Sequence, residues 1–482
     1  MSYWYPQAAV KLRILLEDFQ LVSDASKQQV YEIVVQAKSV SITTNDYKTT
    51  DTFVMDIDYR NFPFDPRAIR SCGVTIYLQD MQKLYKADGT LNTIVPGAPA
   101  LFNPPGGSLT NGVFSGFVDE ESISFDDTRR EVHFEGRDFT ALLIDQKYNV
   151  GKPISFNQPL DKAITTLLAS FAATQQLTVV NNTGNAALPI IASYDPAFGA
   201  PLTGMKNPGT KESYWEIIQD MVNRAGLICW MHLDNLILST PKNQATNNDD
   251  IKFIYGHNVK TLSFKRKLGR FKGFNIQIRS RVGKRVLVAQ IPRDAKASWG
   301  KAYGITVGQD IQIPVLKPDG SLDTSTAHVA PFITFPVPNV GNLDQLIQIG
   351  QTTFEQYSLQ QLEGTLTTKE MLGRGQSTDS TGTKYSTQYD LTQLQKGQSI
   401  VLEIDTDDLA QISRLKDIPT REKYLIQRNY TPQVAAVFAK TLGQFSPRFL
   451  IKSFTTSMHK DDGFKLSIDF QNILDLTQRN NP

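Results

Sequence analysis

Apolar residues at every second position recur near both ends of this 482-residue chain, and that period constrains its fold more than any motif. Val132 and Phe134 alternate with His133 and Glu135, so the segment enters as a strand with one buried face. Gly136 is read as breaking the strand. Asp138 is then placed to accept a hydrogen bond from a free backbone N–H and cap a short helix carrying Leu142, Leu143 and Ile144. Similar runs fall at Val10–Leu16, Ser39–Thr44, Thr52–Tyr59, Gly73–Asp80, Gly112–Val118 and Ser122–Phe125. Turn signals separate them: Asp88-Gly89, Asp126-Asp127 and the Pro/Gly-rich loop Pro96–Gly112. Short strands at this spacing predict a barrel or a sandwich.

The middle of the chain changes period. Pro159–Gln176 places Leu160, Ile164, Leu167, Leu168 and Phe171 on one helical face. After a polar loop, Asn181–Lys211, a second helix aligns Trp215, Ile218, Val222 and Ala225, and Gly226 stands at its end. Leu227–Met231 and Leu236–Thr240 predict a hairpin about Asp234-Asn235, and the polar linker Asn243–Asp250 follows.

Strands resume at Val259–Phe264 and Phe274–Ser280. A helix is predicted over Leu343–Leu362, ended by Gly364, and the Ser/Thr/Gly-rich stretch Gly373–Gln388 reads as a mobile or contact loop. Ser399–Ile404 and Lys423–Gln427 read as strands, and a helix runs from Pro432 to Gly443. Phe449–Thr455 and Phe464–Phe470 form a closing hairpin. Two segments echo earlier ones: Leu450–Phe470 matches the layout of Phe114–Glu135, and Lys260–Ile278 that of Val40–Ile57. Either the chain holds a duplicated module, or half-buried hairpins share the period that the pleat forces on them.

Five stretches carry a resemblance. Gly136–Asp145 (GRDFTALLID) resembles the first-barrel exit of the baseplate hub proteins of contractile phage tails, the late-control protein D family. Ser213–Pro241 resembles that family's helix–hairpin domain. Leu362–Thr368 with Gly397–Ile404 resembles its second barrel, and Phe449–Phe470 its closing hairpin. The N-terminal part of type VI secretion spike proteins is similar. The resemblance implies a mainly β chain with an α/β insertion: two tube-like β-barrels plus a small helix–hairpin domain. The expected divisions are residues 1–150 for the first barrel, 151–250 for the α/β domain, 251–310 with 362–482 for the second barrel, and 311–361 for a helix-bearing insertion. The implied role is a trimeric adaptor between the sixfold tail tube and the threefold central spike, holding the end of the tape-measure protein. A heterologous ring closes only if its repeats subtend the right angle, so two similar barrels per chain would let a trimer imitate a hexamer. The implied partners are further copies of the chain, the tail tube, central spike and tape-measure proteins, and baseplate wedge or distal tube proteins, with DNA only in transit. The implied location is the virion tail, assembled in the host cytoplasm. No OB-like, needle or lysozyme domain of spike proteins is read before Pro482, so the resemblance implies a spike expected on a separate chain. The alternative is a tail-associated adhesin that binds or cleaves glycans, with the loops Pro96–Gly112, Asn181–Lys211 and Gly373–Gln388 forming its site.

Catalytic chemistry finds little purchase. His133, His232, His257, His328 and His459 lack a second ligand at metal-binding spacing, and no GxSxG, HExxH or GxxxxGK[ST] motif occurs. No enzymatic activity, metal or cofactor is expected. Cys72 and Cys229 sit in apolar runs and suit core packing in a reducing compartment. A net charge of +2 exerts no global pull on nucleic acid, and no secretory signal or apolar run of membrane length is evident.

One charge run stands out. Lys260–Arg285 contains ten basic residues and no acidic one. Lys265, Arg266, Lys267, Arg270 and Lys272 are interface candidates, with Asp119, Glu120, Glu121, Asp405 and Asp407 as acidic counterparts. Rim charges of this kind set partner choice and encounter rate more than affinity. The bland alternative is a solvated hairpin. The aromatic N-terminus around Trp4 either packs on a neighbouring subunit or caps its own barrel.

Overall fold

The computed structural model describes residues 7–16, 30–47, 49–79, 112–126, 128–148, 154–169, 177–184, 186–194, 213–225, 227–239, 250–255, 257–267, 273–282, 284–303, 305–317, 319, 321–337, 340–358, 362–378, 384–404, 417–442 and 448–472. Six alternating strands come first: β1 (Gln7–Leu16), β2 (Val30–Thr44), β3 (Thr52–Asp58), β4 (Ile69–Gln79), β5 (Phe114–Asp126) and β6 (Glu131–Asp138). They pair in the order β1-β4-β5-β6-β3-β2, and a β1–β2 ladder closes the ring into an antiparallel barrel. The alternation delivers Leu12, Ile14, Ile42, Met55, Ile57, Val74, Ile76 and Phe134 to its interior.

The middle segment packs against one end of this barrel. It contains α1 (Thr140–Asp145), β7 (Ile154–Pro159), α2 (Leu160–Ala169), β8 (Thr178–Asn181), β9 (Ile190–Tyr194), α3 (Tyr214–Arg224), β10 (Ile228–His232) and β11 (Asn235–Ser239). Its core joins Leu160, Ile164 and Leu167 of α2 to Trp215, Ile218 and Val222 of α3, the residues that helical periodicity singled out. The helices begin and end within the predicted spans: α2 stops at Ala169, and α3 opens on a capping box in which Ser213 and Glu216 each bond the other's backbone N–H.

The last part begins with β12 (Asp250–Tyr255) and β13 (Thr261–Arg266). An excursion of β14 (Asn275–Val282), β15 (Arg285–Ile291), α4 (Ala297–Tyr303), β16 (Gln312–Leu316), β17 (Leu322–Val329), β18 (Phe332–Pro336) and α5 (Leu343–Ser358) follows. α5 packs on the β15-β14-β18 sheet around Ile276, Ile278 and Phe354. The chain then forms β19 (Leu362–Thr368), β20 (Leu372–Thr378), β21 (Lys384–Asp390) and β22 (Ser399–Ile404). A helical pair, α6 (Ile418–Gln427) and α7 (Pro432–Leu442), precedes the final hairpin of β23 (Arg448–His459) and β24 (Gly463–Asn472).

Six of these later strands repeat the order of the barrel. Reading β12, β13, β19, β22, β23 and β24 in place of β1 to β6, the neighbours β13-β19-β24-β23-β22-β12 reproduce β2-β3-β6-β5-β4-β1. The expected echo between Phe114–Glu135 and Leu450–Phe470 is therefore a true equivalence of hairpins. The second expected echo is corrected: β13 pairs with β19 and not with β14, because the whole excursion lies between the two halves of that ladder.

A second closed barrel, expected from the sequence, is not present among the described residues. β12 runs parallel to β22, whereas β1 runs antiparallel to β4, so one strand in six is reversed. The β12 edge that would meet β13 is occupied by β20, leaving a single bridge, Tyr255 to Val259, at the seam. Gly373–Gln388, expected as a loop, supplies most of this β20–β21 hairpin. Lys423–Gln427, expected as a strand, belongs to α6. There the Asp417 carboxylate accepts from Thr420 N at 2.8 Å, and a first-turn proline starts the helix. The half-buried period of that stretch answers to the small helix–helix core of Leu425, Ala435 and Ala439.

Barrel and second sheet share one core. β2 spends its first half on β1 and its second half, Ser39–Thr44, on β23. Buried residues of the barrel, such as Leu12, Met55 and Phe134, and of β12, β19 and β22 to β24, such as Phe253, Leu366, Ile400, Ile451 and Phe470, accordingly form a single cluster.

Candidate functional site

The Gly-Arg-Asp exit of the first barrel is where chemistry concentrates. Gly136 does not break β6, which continues to Asp138. A Cβ at Gly136 would lie 2.1 Å from Phe117 O and 2.5 Å from the Phe53 ring, so the residue permits close approach of strand and ring. The second sheet carries the same device with the strands exchanged. Phe53 on β3 faces Gly136 on β6, while Gly364 on β19 faces Phe470 on β24. A Cβ at Gly364 would lie 2.5 Å from the Phe470 ring.

Arg137 donates to both Asp119 oxygens, at 2.8 and 3.0 Å, and to Asp145 at 2.9 Å. Asp138 accepts from Thr140 N at 3.1 Å and from Thr140 Oγ1 at 3.0 Å. It thus satisfies a helix-start donor as the sequence suggested, but from one position before the N-cap, which is Phe139.

Asp138 also borders a buried polar junction. Its backbone N–H donates to Asp51 O at 2.9 Å. Lys396 Nζ donates to Asp51 Oδ1 at 2.9 Å and to Asn45 O at 3.2 Å. Asp51, Asp138 and Lys396 are 7%, 4% and 4% exposed. Burial pushes Asp138 up to about 7, with the Asp51 charge adding to the effect and Lys396 opposing it. Burial likewise raises Asp51 against the pull of Lys396, and holds His232 below its ordinary value. A cavity of about 30 Å³ at this point is lined by Asp51 and Asp138 of the barrel, Trp230 and His232 of β10, and Gln395 and Lys396 before β22. That volume suits one or two waters and falls far short of the several hundred Å³ typical of ligand pockets.

No protein-family model matches the chain, and no curated protein matches it. Solved structures do. The chain is similar to a tail protein from Neisseria meningitidis at 13% identity and TM-score 0.48, covering 98% of this chain and 99% of that one. The 43 kDa tail protein of prophage MuSo2 from Shewanella oneidensis gives 13% identity and TM-score 0.49, over 97% and 99% of the two chains. An E. coli type VI secretion component, described as structurally similar to the phage T4 tail proteins gp27 and gp5, gives 8% and 0.41, over 90% and 73%.

The interface candidates scatter. Lys265 and Arg266 lie on β13, which among the described residues pairs only with β19, and Lys267 just beyond it holds Glu363 at 2.7 Å. Asp119 is engaged by Arg137. Glu120 and Glu121 fall within β5, and Trp4, Arg270, Lys272, Asp405 and Asp407 lie outside the described residues. His133, expected on the polar face of its strand, bridges Asp56 at 2.7 Å and Glu135 at 3.0 Å. Burial pulls its pKa down, but the two carboxylates outweigh burial and the net shift is upward. Cys72 and Cys229 are both buried, and burial pushes the Cys72 thiol up to about 12. Among the described residues, no helix is long and apolar enough to cross a membrane, and no group of three or more His, Cys, Asp or Glu is arranged to hold a metal ion.

Sequence reasoning missed Asp51, Lys396 and Trp230. Asp51 and Lys396 lie 345 residues apart, and nothing local marks either as buried.

Proposed function

We propose that this chain is a structural tail protein of the baseplate-hub type, acting as a trimeric adaptor between a sixfold tube and a threefold spike. The observation that carries the reading is the strand order repeated within one chain. Matching Gly–Phe pairs across β3/β6 and β19/β24 support it, because they put a common packing device at equivalent ladders. The shared core supports it as well, since it holds the two modules in one fixed relation, as a ring with a defined repeat angle requires.

The adaptor need not present two interchangeable barrels. On this proposal the open seam between β12 and β13 makes the second module the specialised one, and the edge strand β13 with Lys265 and Arg266 is its basic docking rim. The tube, spike and tape-measure proteins are the proposed partners, and the virion tail the proposed location. The test is mass in solution by light scattering, followed by a cryo-EM map of the assembled particle. Three times 53.9 kDa, or threefold rings formed on a spike chain, supports the hub. A stable monomer that binds or cuts polysaccharide defeats it in favour of the adhesin, a reading that no particular feature of the described residues favours.

A further inference from the structure

Three parts of the molecule meet at the cavity beside Asp138, and its lining mixes polar with apolar side chains. The barrel end contributes Thr44, Asp51 and Asp138; β10 contributes Trp230 and His232; the turn before β22 contributes Gln395 and Lys396. Each bond across this junction links segments distant in sequence. Lys396 reaches Asp51 and Asn45 O on the barrel, and Gln395 Nε2 lies 3.2 Å from His232 Nε2. Gln219 of α3 donates to Tyr47 O at 3.1 Å, and the Tyr47 and Trp230 rings meet at a tilt with their centroids 5.6 Å apart. Trp230 lines the cavity, is 4% exposed, and has an indole N–H without an acceptor among the described residues. Polar bonds between groups that titrate therefore cross the junction beside a small cavity.

We propose that this junction is a proton-controlled clamp: the bonds of Lys396, Gln395 and Gln219 join its three parts firmly while the buried Asp138 beside them is neutral, and an ionised Asp138 loosens them. The charge count explains the direction. Lys396 and Asp51 neutralise one another, so a neutral Asp138 leaves no net charge at the junction, whereas its carboxylate adds one uncompensated buried negative charge. The groups facing it are Asp51, Lys396 and the Thr140 hydroxyl, with His232 across the cavity. Asp46 acts on Asp51, Asp234 acts on His232, and the buried Cys229 thiol lies within reach of the Lys396 charge. Opening returns Asp138 to water, where a carboxyl of ordinary pKa ionises near 4. Its closed-state value of about 7 is the higher of the two, so the clamp is complete in acid. It weakens as pH rises, by about tenfold in the opening constant per unit, and levels off above 7. The clamp is independent of the assembly role proposed above.

Hydrogen exchange on the full chain between pH 5 and 8, corrected for intrinsic rates, tests this. The β10, β6–α1 and Leu394–Ser399 segments should open more readily from pH 5 to 7 and then level off, while β14–β15 serves as an internal reference. Asp138→Asn should flatten most of that slope. A flat wild type, or an Asp138→Asn profile with the wild-type slope, overturns the proposal. Should the variant fail to fold, infrared spectroscopy of the wild type decides: a protonated-carboxyl stretching band that disappears as pH passes about 7 is expected, and its absence at pH 5 sinks the idea.

Discussion

At the scale of single residues, two kinds of constraint operate, and both lead to expected outcomes. Gly136 and Gly364 are fixed by space, each lying under a phenylalanine ring and against a neighbouring carbonyl. Gly136→Ala should cost about 1–3 kcal/mol in denaturant unfolding. Adding Phe53→Ala should restore little, because the Phe117 carbonyl at 2.1 Å is backbone and cannot move aside. Lys396 is fixed by charge. Lys396→Ala would leave Asp51 buried without a counter-ion and should lower stability by about 3–5 kcal/mol. Asp51→Asn combined with Lys396→Met should lose less than the two single changes summed, which a double-mutant cycle measures.

At the scale of elements, local signals decide some structures and neighbours decide others. The α3 start is local: Ser213→Ala removes one half of a capping box and should cost about 1 kcal/mol in thermal or urea unfolding. β20 is decided by its neighbours, since its Ser/Thr/Gly-rich residues pair along their length with β21 and, over Arg374–Gln376, with β12. β13 is the reverse case, a basic strand whose outer edge has no ladder partner among the described residues. Charge and isolation are common protections for such an edge, and they suit one reserved for a chosen partner. Lys265→Glu should leave the unfolding midpoint nearly unchanged and weaken assembly with tube or spike chains. A loss of monomer stability instead would show that the strand serves its own fold.

At the scale of the whole molecule, the shared core is the dominant fact. Because β2 belongs to the barrel in one half and to the β23 ladder in the other, neither module can rotate against the other without breaking a continuous sheet. One cooperative unfolding transition is expected for barrel and second sheet together, with the α6–α7 pair, held by its own small core, exchanging its amides sooner. Two well-separated calorimetric transitions assigned to the barrel and the second sheet would contradict this.

The sequence by itself determined which residues face inward. Period two placed Val132, Phe134, Leu466 and Ile468 in a core, helical period placed Trp215 and Ile218 in another, and the echo between Phe114–Glu135 and Leu450–Phe470 marked equivalent hairpins. It also singled out Asp138 as a residue with a bond to make. Only the tertiary structure decided which strand edges join: that β13 waits for β19 across an excursion, that β20 takes the place at β12 that would have closed a second barrel, and that Lys396 finds Asp51. The reason is physical. Side-chain period records burial, which each strand settles with its own residues, whereas backbone hydrogen bonds are the same at every position and carry no address. An edge is therefore assigned by whichever strand the rest of the packing brings to it.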